Sequence, residues 1–272
     1  MIDLEIERGY APVTGGQLYY EVAGSGHPLV LTHAGVADHR MWDEQFPAFA
    51  RHYRTIRYDF RGFGQSSGSD VPFAYHQDLH DLLAHLGVEH AYVCGLSMGG
   101  LISLNFTLAY PQMVDALILT ATGAGHNPPS TELRDWWDRI NAAEELGNLE
   151  AANELELQLW VDGPHRGAGA VDPAMRARVE AWNLAAFKRP AMPGKPLPLD
   201  PPAARLHEIT APTLIIVGDA DVSDVVTNAD LLARDIPHAQ KVVLPNVAHM
   251  VNMERPQEFT DLVLAFLAPL ES

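Results

Sequence analysis

Cysteine and basic side chains are scarce in this chain: one cysteine, and 18 lysines and arginines against 35 aspartates and glutamates, in 272 residues. A single thiol, Cys94, forms no internal disulfide, and its apolar neighbours Val93 and Leu96 predict a buried, reduced group rather than a nucleophile. The formal charge of −17 offers no basic stripe for DNA or RNA and repels polyphosphates, so no nucleic-acid partner is expected. The acidic excess serves solubility first and, more weakly, a preference for neutral or cationic substrates. An apolar run of roughly 18 residues, the minimum for a membrane span, is also missing, so no membrane partner is expected. The amino terminus MIDLEIERGY is charged where a signal peptide needs an apolar stretch, which makes the cytoplasm the expected location. Internal repeats and low-complexity tracts are absent too.

What is present is 47% hydrophobic residues, enough for a sizeable core, arranged in two rhythms. QLYYEVAG reads as an antiparallel strand and PLVLTH as a buried one; TIRYDF, AYVCGL and ALILTAT follow. Between them, DEQFPAFARHY, YHQDLHDLLAHLG and MGGLISLNFTLAYP carry helical patterns, the second with Leu79, Leu82, Leu83 and Leu86 along one stripe. Such alternation implies parallel strands joined by right-handed crossovers. From about Gly123 to Arg205 the strands stop, and three helical stretches precede the proline-rich RPAMPGKPLPLDPPAAR. Four of the five tryptophans lie there, Trp136, Trp137, Trp160 and Trp182. We read residues 123–205 as an inserted helical cap, and residues 1–122 and 206–272 as the core, in which PTLIIVGD, a helix, AQKVVLP and a closing helix resume the alternation.

Gly95-Leu96-Ser97-Met98-Gly99 matches G-x-S-x-G and sits between a strand and a helix, as that motif requires. Glycines on both sides permit a sharp turn that holds the Ser97 hydroxyl up, and leave the Met98 N–H at a helix start for an oxyanion. A serine needs a base. Of the 13 histidines, His249 is placed for it, in PNVAHMVNMERP after the strand KVVL, while His76, His80 and His85 show only helical spacing. An acid must orient that base. The loop after PTLIIVGD supplies Asp219, Asp221 and Asp224; Asp219 ends the strand, Asp224 is placed to cap the next helix, and Asp221 is the choice, giving the chain order Ser, Asp, His.

As a set, GLSMGG, GDAD, NVAH, THAGVADHRMW and YDFRGFGQS resemble the α/β-hydrolase superfamily over nearly the whole chain. The resemblance implies an α/β-hydrolase fold, a mostly parallel eight-stranded sheet flanked by helices with an inserted helical cap, and no metal or organic cofactor. In the family the residue after His-Gly gives a second oxyanion N–H, which maps to Gly35; Ala34 stands where glycine is usual, leaving Gly35 or Val36 as the donor. Asp59 and Arg61 read as braces of a glycine turn and His33 as a loop organiser. Trp160, Trp182 and Phe187, with Val36 and Met250, are expected to line an acyl pocket, whereas Trp136 and Trp137 cannot both face inward. The expectation is a serine hydrolase for a small, mostly apolar ester or related acyl compound, a monomer or homodimer. Lactone or enol-lactone hydrolases, carbon–carbon bond hydrolases and cofactor-free perhydrolases share the triad. A ligand receptor with a vestigial triad is the reading from another class. Serine as nucleophile argues against dehalogenases and epoxide hydrolases, and Met98 against proline iminopeptidases.

Overall fold

In a computed structural model, residues 4–125, 128–167, 169–198 and 201–271 are described. Eight strands form one sheet: β1 (Ile6–Val13), β2 (Gly16–Ala23), β3 (Pro28–Thr32), β4 (Arg54–Tyr58), β5 (Ala91–Leu96), β6 (Val114–Thr120), β7 (Thr213–Gly218) and β8 (Gln240–Leu244). Their order is β1-β2-β4-β3-β5-β6-β7-β8. The β1–β2 and β2–β4 pairs are antiparallel and all the others parallel. Among the described residues the α-helices are α1 (Phe46–Phe49), α2 (Tyr75–His85), α3 (Met98–Ala109), α4 (Thr131–Glu145), α5 (Leu149–Leu157), α6 (Pro173–Phe187), α7 (Ser223–Asp235), α8 (Val251–Glu254) and α9 (Pro256–Leu267). None is long and apolar enough to cross a membrane among the described residues.

Strands β5 and β7 are buried at every position and β3 and β6 at all but one, as parallel strands covered on both faces should be. Helix α3 packs on β3, β5 and β6 and against α2; α7 packs on β7 and β8, and α1 on β4 and against α9. Cys94 lies on β5 with no exposed surface, and burial pushes its thiol pKa up, so it stays protonated and inert.

Two segments differ from the sequence expectation. Ile6–Val13, whose composition predicts no strand, pairs with β2 from Ile6↔Ala23 to Val13↔Gly16. This is an edge strand, where Gly9 and Pro12 and the charges of Glu7 and Arg8 are tolerated because one side faces solvent. DEQFPAFARHY, expected as a helix, keeps a single α-turn, with Pro47 in its first turn, where a missing N–H does no harm.

Between β6 and β7 lies the insert. Helices α4, α5 and α6 pack in series, with α5 against both of the others. At its end α5 widens into a π-type turn, Gln158–Asp162, which brings Trp160 towards the sheet. Downstream, the chain runs beside the core, where the Leu197 N–H donates to the Phe73 carbonyl at 2.6 Å and the Gly194 N–H to that of Ser69 at 2.8 Å.

Candidate active site

Strand β5 ends at Leu96, and the next residue turns the chain into α3 with φ 57° and ψ −118°. A serine in that region is strained by on the order of 1–3 kcal/mol, which surrounding structure must hold in place. The flanking glycines explain how. A Cβ on Gly95 would lie 2.5 Å from Thr32 Oγ1 and 2.6 Å from the Gly99 carbonyl oxygen, and one on Gly99 would overlap the Thr32 and His33 carbonyls. The turn is clamped by the Ser97 N–H donating to the Thr120 carbonyl at 2.9 Å, and by Thr122 Oγ1 donating to the Ser97 carbonyl at 2.7 Å. Ser97 is thereby left half-exposed at the carboxyl edge of the sheet.

His249 and Asp221 reach the same edge from the loops after β8 and β7. His249 Nδ1 lies 2.8 Å from Asp221 Oδ2, both residues are 3% exposed, and Asp221 Oδ1 accepts from the Val222 N–H at 2.8 Å. A carboxylate only accepts, so the pair places the imidazole proton on Nδ1 and leaves Nε2 with its lone pair free. The two other carboxylates of that loop are engaged elsewhere. Asp219 Oδ1 accepts from the Asn246 N–H at 2.6 Å, and Asp224 Oδ1 from the Ser130 N–H at 2.8 Å.

A cavity of about 230 Å³ joins these elements, lined by Gly35, Val36, Ser97, Met98, Glu156, Trp160 and His249. The Trp160 ring lies 4.6 Å from that of His249, centroid to centroid. Met98 is the first residue of α3, whose leading N–H groups have no partner within the helix. Gly35 and Val36 form a tight turn, and among the described residues neither N–H has a protein acceptor. Larger cavities lie elsewhere among the described residues: about 580 Å³ beside His27 and Asp115, about 760 Å³ between Arg61 and Met192, and about 470 Å³ between Trp136 and Arg176.

Three residues expected at the pocket do not line this cavity. Trp182 is buried within the insert and packs under the Arg40 guanidinium, 5.2 Å from its ring. Met250 has no exposed surface and packs in the core at the start of α8. Phe187 is half-buried at the end of α6. Tryptophan and phenylalanine content marks the insert as able to wall a site, but gives no rotation for its helices. Glu156, conversely, was not expected there: a lone glutamate in an amphipathic helix carries no sequence signal that separates it from a solvent-facing one.

Around the cavity the polar groups are braced. His33 Nε2 accepts from the Phe60 N–H at 2.9 Å and its Nδ1 lies 2.8 Å from the Ala34 carbonyl, which requires a neutral ring; burial lowers its pKa accordingly. Asp59 accepts from the His39 and Gln65 N–H groups, and Arg61 makes two bonds to Asp78, at 2.8 and 2.6 Å. His33, Asp59 and Arg61 thus hold loops in place.

Arg166, just past the π-type turn, ties the insert to the His249 loop. It donates to Glu254 Oε2 at 2.8 Å and Oε1 at 3.0 Å and to the Asn246 carbonyl at 3.0 Å, while Glu254 Oε1 accepts from the Ala248 N–H at 2.6 Å. Side chains of Arg166 and Glu254 are 14% and 3% exposed, so losing the cation leaves a shielded, unpaired carboxylate. Arg166→Met is expected to lower stability by about 2–4 kcal/mol in urea unfolding, and Glu254→Gln added to it to restore part of the loss. Additivity of the two substitutions would refute the coupling.

Among the described residues, two groups of side chains could hold a metal ion by spacing: His27, His90 and Asp115 at the amino ends of β3, β5 and β6, and the buried Asp38, His39 and Asp59. Neither borders the Ser97 cavity. In the buried group the side chains already bond to one another and to Arg40.

A strained serine at a strand-to-helix turn thus lines one cavity with His249, whose ring is bonded to Asp221 on the loop after β7. A family model of the alpha/beta hydrolase fold matches residues 27–145, and the chain belongs to that family. It is 30% identical to the dihydrolipoyllysine-residue acetyltransferase component of the acetoin cleaving system of Pseudomonas putida, over 93% of this chain and 67% of that one. Among solved structures it resembles a hydrolase from Pseudomonas aeruginosa PA01, with 30% identity, 98% of each chain covered and a TM-score of 0.75. It also resembles the enol-lactonase from Burkholderia xenovorans LB400, with 26% identity, 96% and 100% covered and a TM-score of 0.79. Kinship of this kind indicates a hydrolase.

Proposed function

We propose that the protein is a serine hydrolase that cleaves a small carboxylic ester, or a lactone as its cyclic form, through an acyl-enzyme. The observation that carries this reading is the buried His249–Asp221 pair, 2.8 Å apart, on one small cavity with a serine held at φ 57°. Ser97 Oγ attacks the acyl carbonyl while His249 Nε2 takes its proton; the imidazolium is stabilised by Asp221 and returns the proton to the leaving alcohol. The negative charge on the carbonyl oxygen is met by the N–H groups of Met98, at the start of α3, and Gly35, for which no acceptor occurs among the described residues. Water, deprotonated by His249, then releases the acid and regenerates Ser97.

Residues 123–205 act as the cap. Trp160 closes the cavity over His249, shielding the acyl-enzyme from bulk water, and a volume of about 230 Å³ suits a short acyl group. The lactone form draws support from the enol-lactonase relative, since a lactone carbonyl meets the same nucleophile. A fluorophosphonate probe tests the reading directly. Folded protein should be labelled on Ser97, as located by peptide mass spectrometry; an unlabelled Ser97 in active, folded protein would overturn it.

A further inference from the structure

Glu156 is a half-buried acid that stands apart from the acids of this chain that face an arginine. Glu21 faces Arg57, Asp78 faces Arg61, Asp162 faces Arg176 and Glu254 faces Arg166, each within hydrogen-bonding distance. Glu156 makes no ion pair among the described residues. Its one bond there comes from a neutral amide, Asn183 Nδ2, which donates to Oε2 at 2.6 Å. The amide is itself held: the same Asn183 nitrogen donates to Asn153 Oδ1 at 2.9 Å, and Asn153 donates to the Glu180 carbonyl at 3.2 Å. Thus α5 and α6 fix one oxygen of the carboxyl and leave the other without a protein donor. Glu156 is one of the residues that line the cavity shared with Ser97 and His249.

Glu156 is half-buried, and a partly desolvated carboxylate without a cation carries a cost that a ligand's donor group offsets. Desolvation raises the Glu156 pKa, the Asn183 bond opposes that rise, and Glu144 adds to it; no cation helps to lower it. The remaining lining of the cavity contains no lysine or arginine, so an acyl group ending in a carboxylate would meet a like charge and nothing to offset it.

We propose that Glu156 is a substrate-selecting residue: the cavity takes acyl compounds whose acyl chain carries a hydrogen-bond donor, an ammonium or a hydroxyl group, a few atoms from the carbonyl, and it excludes carboxylate-bearing ones. This rests on the serine-hydrolase reading. Ser97 and His249 act on the carbonyl, while Glu156 binds the far end of the acyl chain and thereby orients the carbonyl towards Ser97. Glutamine at this position keeps the shape and the oxygen that Asn183 bonds, but loses the charge.

The test uses four p-nitrophenyl esters built on one propanoyl chain that differ in the group on its C3: propanoate, 3-hydroxypropanoate, 3-aminopropanoate and hemisuccinate. The parent should favour the amino ester over propanoate by about tenfold or more in kcat/KM, the hydroxy ester by less, and should hydrolyse hemisuccinate worst. In Glu156→Gln the amino-over-propanoate ratio should fall to about one, mainly through KM, and hemisuccinate should improve relative to propanoate. Equal losses on all four esters would show that Glu156 only supports the α5–α6 packing, and an unchanged order of preference would show that it does not select. Either result overturns the inference while leaving Ser97-dependent propanoate hydrolysis, and with it the proposed reaction, intact. A second readout needs no turnover. Ser97→Ala protein should bind 3-aminopropanamide more tightly than propanamide by calorimetry, and Glu156→Gln should abolish that difference; equal binding of the two amides by Ser97→Ala protein overturns the inference.

Discussion

Ser97→Ala should lower kcat for short p-nitrophenyl esters by on the order of 10⁴ to 10⁶, or about 5–8 kcal/mol of transition-state stabilisation, while KM changes little. The loss is large because no other hydroxyl or thiol lines the cavity, and the only cysteine is buried on β5. Some rate over water should survive, because the Met98 and Gly35 N–H groups still stabilise the oxyanion. The backbone separates this from a folding defect. At φ 57° alanine bears the same strain as serine, whereas glycine does not, so Ser97→Gly should be more stable than Ser97→Ala by about 1 kcal/mol in urea unfolding, with both inactive. A Ser97→Ala variant as fast as the parent would end the proposed mechanism.

Asp221→Asn should cost about 10⁴ in kcat with the fold intact, for a reason visible in the hydrogen bonds. Because Asp221 Oδ1 accepts from the Val222 N–H at 2.8 Å, an asparagine there keeps its carbonyl oxygen on that side. Its amide N–H₂ then faces His249 Nδ1, 2.8 Å away in the parent, and donates to it. The imidazole proton is driven to Nε2, the atom that must accept from Ser97. Asp219→Asn and Asp224→Asn disturb only the Asn246 and Ser130 contacts and should cost less than about tenfold. Kinetics on the three variants at one pH decide the matter: if Asp221→Asn matches the parent, the acid is another group.

Much of this architecture could be read from residue order, for identifiable reasons. Strands covered on both faces, such as AYVCGL and TLIIVG, read as apolar runs because both sides must be apolar. Edge strand β1 could not, since half of it faces water and its pairing partner, not its composition, defines it. The elbow, the aspartate and the histidine stand at strand ends, where chain order and loop position fix the geometry. The cavity wall is different. Its shape depends on how α5 ends, and the π-type turn that carries Trp160 inward, with Glu156 two residues before it, is a packing outcome without a residue signature. The same indeterminacy placed Trp182 in the interior of the insert rather than at the cavity.

The order β5-β6-β7-β8 has a consequence for how the chain acquires its activity. Ser97 follows β5, whereas its two partners hang from the last pair of strands, with β6 between them and contacts spanning most of the chain. Early helical structure therefore provides no competent site. In the proposed mechanism turnover requires the edge strand β8 on β7 in the register that sets Gly218 beside Leu244, which makes it a reporter of non-local strand pairing rather than of helix content.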